Sequence, residues 1–275
     1  MSNSHEPNPK PIEAQNARAW DALARQRAAL ATPASDEEFA NPLATVDPLG
    51  WLGGSIVGSK VLCLAAGGGR QSALYAAAGG EVTVLDISRE MLRLDTEVAA
   101  ERKLSVRVVE GSMLDLSMIA EGEFDIVIQP VSTCYVPDVC AVYQQVARVT
   151  RVGGLYVSQH KSPVSLQVSA KAEATGYTIS ERYYREGPLP PGNACRSSSR
   201  LRESGTQEFL HRWEELIGGM CRAGFSVEDL VEPMHADKDT ERGTFGHRAQ
   251  YIAPYVRVKA RRAGVERNLL RFETP

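Results

Sequence analysis

The 275-residue sequence predicts an α/β fold, a mainly parallel sheet with helices on both faces. Three observations carry that reading. From Ser59 to His160, short apolar or β-branched runs alternate with helical patterns, the rhythm of a βαβ series. The first run, beginning at Val61, ends in the glycine triplet Gly67-Gly68-Gly69. The second, EVTVLD, ends on the carboxylate Asp86.

Taken in order, residues 1–10 are polar and Pro-rich and read as disordered. EAQNARAWDALARQRAAL places Ala17, Trp20 and Leu23/Ala24 on one stripe and predicts a helix. Residues 31–50 are broken by Pro33, Pro42 and Pro48 and read as an irregular connector. KVLCLAA is a strand, GRQSALYAAAG a helix stopped by Gly79-Gly80, and EVTVLD a strand. Ser88 caps the next helix, which carries Met91, Leu94 and Val98 on one face. VRVVE and FDIVIQ are strands. Val139, Val142, Val146 and Val149 recur at 3-4-3 spacing behind an Asp138 cap, so a helix precedes the strand GGLYVSQH.

The rhythm breaks over residues 161–206, an insertion with a strand-like YTISERYYR and a Pro/Gly/Ser-rich tip, GPLPPGNACRSSS. Its tyrosines, Tyr177, Tyr183 and Tyr184, suit the wall of a substrate cover. QEFLHRWEELIGGMCRAG reads as one helix with Phe209, Trp213, Leu216/Ile217 and Met220 inward, His211 toward solvent and Gly224 at C′. FSVEDLV and YIAPYVRVKA close the chain as strands. The expected organisation is an N-terminal helical arm over residues 1–50 and one domain over 51–275.

Composition excludes several classes. Apolar residues make up 43% and the net charge is −3, an ordinary globular balance. No run of 18 apolar residues exists, so a membrane-spanning helix is not expected. The N-terminus lacks an apolar segment typical of secretion signals, and the five cysteines form no CxxC pair. Reduced thiols in a cytoplasmic protein follow. From Ala253 onward six positive residues face two negative ones. That basic stretch reads as a solvated face, too narrow for a general nucleic-acid binder. The dispersed histidines show no ligand spacing, so no metal is expected.

The informative constellation is strand, glycine turn, helix, strand, acid. Glycines without Cβ let a ligand approach the backbone. Asp86, 19 residues after Gly67, lies where a strand-tip carboxylate accepts hydrogen bonds from ribose hydroxyls. The unit therefore predicts a nucleoside-bearing cofactor. A dinucleotide fingerprint wants Gly or Ala where Ser72 stands, and EGSMLDL after the third strand is not required by it.

On these residues the segment from Ser59 to His160 resembles the class I S-adenosylmethionine-dependent methyltransferases, with a weaker match over Gln207 to Ala260. The resemblance implies a Rossmann-like seven-stranded sheet, parallel except for a last antiparallel strand. The family's first motif, an acid then Gly-x-Gly-x-Gly, reads here Cys63, Ala65, Gly67 and Gly69, so the acid and first glycine are replaced. The resemblance implies cofactor contacts at Ala65, Gly67, Gly69, Asp86, Ile87, Ser112, Met113 and Gln129, with Trp20 on a lid helix. A small-molecule acceptor at O, N or S is the resulting expectation, with no membrane partner and a homodimer left open. At strand ends, His160 is a candidate base, Tyr135 a neighbour of the sulfonium and Lys161 an anchor for an anionic acceptor. His247, Arg248 and Tyr251 are candidates if the loop around Gly243 and Gly246 folds back. Rival readings are methylation of RNA or protein, a nicotinamide-dependent oxidoreductase, and a non-catalytic cofactor sensor.

Overall fold

The computed structural model describes residues 9–28, 31–191 and 201–264. Seven strands form one sheet: β1 (Lys60–Leu64), β2 (Glu81–Asp86), β3 (Val106–Glu110), β4 (Phe124–Gln129), β5 (Thr150–Lys161), β6 (Phe225–Val231) and β7 (Tyr255–Arg262). Their spatial order is β3-β2-β1-β4-β5-β7-β6. The β7 strand runs antiparallel to both β5 and β6, while β1 to β5 pair in parallel. The fold is the Rossmann-like sheet expected.

The register explains the sequence pattern. Val61 and Cys63 pack with Val82, Val84, Ile126 and Ile128 on one face. Leu62 and Leu64 pack with Val127, Tyr156 and Val258 on the other. Both faces are covered, so β1 reads as continuously apolar rather than alternating. Helices α1 (Pro9–Arg25), α2 (Asp36–Ala40), α3 (Pro42–Val46), α4 (Gln71–Ala77), α5 (Arg89–Arg102) and α6 (Val139–Val149) precede the insertion. Ser88 accepts from the Met91 N–H, and Asp138 from those of Cys140 and Ala141, so both caps lie where the sequence put them.

Several expectations change. The helical arm starts at Pro9, so Pro9 and Lys10 join α1, while residues 1–8 lie outside the described residues. The connector is not irregular. Ser35 and Glu38 form a reciprocal capping box for α2, and Pro42 opens α3. The long helix over 207–224 is only partly formed. A π turn spans Glu214–Gly218 and α8 spans Gly219–Arg222, whereas residues before Trp213 are drawn out by tertiary bonds. The Gln207 N–H donates to Asn16 Oδ1 at 2.7 Å, and the Phe209 N–H to the Cys134 carbonyl at 2.7 Å. His211 is buried rather than solvent-facing, with Nε2 2.9 Å from the Thr133 carbonyl. The insertion holds the short helix α7 (Pro163–Gln167) and two isolated bridges, Val168↔Ile179 and Glu173↔Gly176. Residues 192–200 of its tip, Cys195 included, lie outside the described residues. The loop at Gly243 and Gly246 carries a helical turn, α9 (Phe245–Ala249), capped by Thr244. No helix among the described residues is long and apolar enough to cross a membrane.

Candidate active site

The strand order reverses between β1 and β4, which opens a crevice at the carboxyl ends of the parallel strands. A cavity of about 460 Å³ occupies it. One half is built by the loops after β1, β2 and β3: Ala65, Gly67, Asp86, Ile87, Ser112 and Met113. The other is built by the loop after β4, the ends of β5 and β7, and the insertion: Ser132, Tyr135, Gln159, Tyr255 and Glu203. Helix α1 covers both with Glu13, Asn16 and Trp20.

Asp86 anchors the first half. Its Oδ2 accepts the Gly67 N–H and its Oδ1 the Ser88 N–H, each at 2.9 Å. Burial raises its pKa, opposed by these backbone donors. A Cβ on Gly67 would lie 2.8 Å from Met91 Cβ and 3.1 Å from Asp86 Oδ2, so glycine keeps that wall open. Gly69 is constrained twice. Its φ is +76°, and a Cβ there would stand 2.7 Å from Val98 Cγ2. It seats the turn on α5 and does not line the cavity. Ala65 takes φ +48° where the family motif has glycine, a left-handed conformation that an alanine adopts at a cost.

One residue escaped the sequence reading. Asp95 of α5 accepts the Gly68 N–H at 2.9 Å, the Gly69 N–H at 3.1 Å and the Ser72 hydroxyl. It is fully buried, and desolvation pushes its pKa up to about 6. The signal was present, because Asp95 stands four residues after Met91, on the buried face of α5. Its consequence is chemical. The N–H groups that would cradle a pyrophosphate in a dinucleotide site are already taken by a carboxylate. Arg70, the one cation among the described lining residues, is paired with Glu38, whose pKa falls to about 2. The turn thus fits a ribose and an uncharged neighbour rather than a diphosphate.

Among the other expected cofactor residues, Ser112 accepts the Leu114 N–H and donates to Glu13 of α1. Met113 lines the cavity beside it. Gln129 lies beneath the wall. Its amide donates to Ser132 Oγ at 2.9 Å, and its Oε1 accepts the Tyr156 hydroxyl.

The substrate-side expectations need correction. His160 does not line the cavity and is fully buried, with Nδ1 2.8 Å from Thr133 Oγ1 and Nε2 2.8 Å from Ser158 Oγ. Desolvation lowers its pKa to about 3, so it is a neutral anchor for the turn carrying Tyr135, not a base at the site. Lys161 is equally enclosed. Its three N–H donors go to the Leu201 carbonyl, Glu203 and Glu208 at 2.7–2.9 Å, which leaves none for an anionic acceptor. His247, Arg248 and Tyr251 form a separate cluster with Tyr177, away from the cavity. Arg248 is buried in a cage of Ser165, Val168 and Ser169 carbonyls. Tyr183 and Tyr184 meet edge-on, and Tyr184 is exposed, so the insertion's tyrosines build no wall of this cavity. The insertion instead contributes Glu203. Tyr135 does face the cavity; its hydroxyl donates to Glu203 Oε2 at 2.6 Å and its ring meets Trp20 edge-on at 5.6 Å. No group of His, Cys, Asp and Glu suited to a metal occurs among the described residues.

The methyltransferase domain profile matches residues 62–158, the segment holding the glycine turn and Asp86. The uncharacterized methyltransferase YbaJ of Bacillus subtilis (strain 168) is 34% identical over 180 residues, covering 64% of this chain and 69% of that protein. The chain belongs to the class I S-adenosylmethionine-dependent methyltransferases.

The ubiquinone biosynthesis O-methyltransferase of Bordetella pertussis is 30% identical over 124 residues, 43% of this chain and 51% of that enzyme. An S-adenosylmethionine-dependent methyltransferase from Mesorhizobium loti shares the fold, with a TM-score of 0.64 and 21% identity over 82% of this chain and all of that one. The geranyl diphosphate C-methyltransferase of Streptomyces coelicolor does so at TM-score 0.61 and 17% identity, covering 92% and 98% of the two chains. The protein is thus a methyltransferase enzyme with S-adenosylmethionine as cofactor, and its residues fit that cofactor. The Gly67 wall would be filled by a Cβ, Asp86 stands at the strand tip where the ribose would bind, and the Gly68 and Gly69 N–H groups are taken by Asp95.

Proposed function

We propose that this methyltransferase acts on a small molecule, held in the half of the cavity between Tyr135, Gln159 and Tyr255, with α1 as its lid. The observation that carries this is the enclosure: Trp20 and Asn16 of α1 roof the cavity over the strand ends. A polymer would need an open groove, and the deep cavity suits a ligand buried on most sides. The ubiquinone and geranyl diphosphate methyltransferases named above act on small molecules by their names, which agrees with this reading.

S-adenosylmethionine supplies an electrophilic methyl group on a sulfonium that leaves as a neutral thioether. The chain's part is to align and to exclude water. Asp86 and the turn at Gly67 hold one partner, and the β4–β7 half holds the other. Keeping reactants about 3–3.5 Å apart supplies roughly 7–11 kcal/mol of the barrier. Tyr135 stays protonated because burial and the neighbouring Glu203 raise its pKa well above the ordinary value, so it orients groups rather than removing protons.

Two measurements test the reading. In thermal unfolding, S-adenosylmethionine and S-adenosylhomocysteine at a hundred times Kd stabilise by about 2.7 kcal/mol, a midpoint rise of roughly 5–10 °C. Oxidised and reduced nicotinamide dinucleotides leave the midpoint in place. Methyl-labelled cofactor with a cell extract then gives label in the low-mass fraction. Label confined to RNA or protein refutes the small-molecule acceptor.

A further inference from the structure

We propose that Glu203 recognises the acceptor, and that the acceptor is a small molecule carrying a protonated amine on an apolar body. The inference rests on the reading that the β4–β7 half of the cavity takes the acceptor.

Apart from Glu13 of α1, whose carboxylate accepts the Ser112 hydroxyl on the other side, Glu203 is the one charged residue among the described lining of that half. Its side chain is 8% exposed, and both of its side-chain partners, Lys161 Nζ at 2.7 Å and the Tyr135 hydroxyl at 2.6 Å, use Oε2. Oε1 takes part in neither contact. The cation behind it is already spoken for. Lys161 is 3% exposed and does not line this cavity, and it is equally paired with the fully buried Glu208 at 2.8 Å. Glu208 also meets the Arg202 guanidinium at 3.0 Å. Glu208 is thus shared by two cations, and Glu203 supplies the second negative charge. The cluster balances two cations against two anions, with an anion on the cavity side and the cations behind it.

The rest of that wall agrees. Trp20, Tyr135 and Tyr255 present aromatic surface, and Ser132 and Gln159 are neutral. Aromatic faces with one ionised carboxylate attract an ammonium group through cation–π and charge-assisted hydrogen bonds. The same carboxylate repels an anionic acceptor. Lys161 holds Glu203 below its ordinary pKa against the desolvation that opposes it, which keeps the charge in place at neutral pH.

The test uses the whole chain saturated with S-adenosylhomocysteine. Phenethylamine, 2-phenylethanol and 3-phenylpropanoate are titrated at pH 7 by calorimetry. The amine is expected to bind at least tenfold more tightly than the alcohol, with no binding by the carboxylate. Glu203→Gln is expected to weaken the amine at least tenfold and to leave the S-adenosylhomocysteine Kd within twofold. If the variant does not fold, the wild-type charge series decides alone. Equal affinity for amine and alcohol, preference for the carboxylate, no amine binding by the wild type, or an unweakened folded variant each overturns the proposal. Failure of the wild type to bind S-adenosylhomocysteine at all is a different result, and removes the cofactor-half reading instead. Tight amine binding together with label only in RNA or protein leaves Glu203 as an amine-binding residue of an enzyme whose acceptor is macromolecular, and refutes the acceptor assignment made here.

Discussion

Asp86 and Asp95 divide the work at the glycine turn: one faces the cavity, the other holds the turn from behind. Asp86→Ala removes the carboxylate proposed to accept the ribose hydroxyls and the partner of the Gly67 N–H. Hydrogen bonds to a charged group contribute about 1.5–3 kcal/mol each, so the S-adenosylhomocysteine Kd should rise well beyond tenfold in calorimetry. Gly69→Ala acts on stability instead, through the +76° backbone and the contact with Val98. Overpacking costs about 1–3 kcal/mol, read as a lower urea midpoint. Lys161→Met leaves Glu203 and Glu208 facing each other without their shared cation. Breaking a buried pair costs about 3–5 kcal/mol, and an unchanged urea midpoint contradicts the burial described. At this scale the lining of the half proposed for the cofactor was legible in sequence, because Gly67, Asp86, Ser112 and Met113 stand at or just after strands whose ends are readable. The acceptor half was not. Whether a strand-end histidine or lysine faces the cavity depends on partners such as Thr133 and Glu208, which lie 27 and 47 residues away in the chain.

Among the elements, α1 is pinned at three points, each on a different strand-end loop. Asp21 accepts the Ser88 hydroxyl at 2.6 Å, Glu13 accepts that of Ser112, and Asn16 donates to the Tyr135 carbonyl at 2.9 Å. Asn16 also binds Gln207 through both its amide groups. It is a buried polar pin for the proposed lid. Asn16→Leu leaves the Gln207 N–H and two carbonyls without that partner, at about 1–3 kcal/mol for each group left unsatisfied. The expected outcome is faster proteolytic cleavage within α1 and weaker cofactor binding, with the sheet's amide protons still protected from exchange. Loss of protection throughout would mean that α1 is part of the core rather than a lid. The helix itself was readable from the Ala17–Trp20–Ala24 stripe. The extended stretch before Trp213 was not, since its helical periodicity is real and is overridden by pairing with Asn16 and Cys134. The described residues of 161–206 gave little to read because their backbone is held by isolated contacts without a repeating period.

For the molecule as a whole, the βαβ order and the strand positions were legible because parallel strands buried on both faces leave uninterrupted apolar runs. The polar groups buried among them set how stability responds to acid. His160 has an ordinary pKa of 6.5 and about 3 in the fold, and burial lowers His211 as well. Between those values the unfolded chain binds protons that the native state refuses, so this contribution is lost as pH falls below 6.5. Asp95 works the other way. Its pKa rises from 3.8 to about 6, so its contribution is greatest below pH 3.8 and is lost as pH rises through 6. The raised Asp86 has the same sense. The histidines prevail, because the His160 window is the wider and because paired carboxylates such as Glu38, lowered from 4.5 to about 2, join them at the acid end. Urea midpoints measured from pH 7 to pH 4 should therefore fall on acidification. His160→Gln should start lower at pH 7, through lost packing against Tyr143, and then decline less steeply. A wild type whose midpoint rises toward pH 4 would mean that the buried aspartates outweigh the histidines. Asp95 accepts the Gly68 and Gly69 N–H groups and the Ser72 hydroxyl best when ionised, so its protonation would loosen the glycine turn while relieving the cost of burial, and cofactor affinity should be measured against the same pH series.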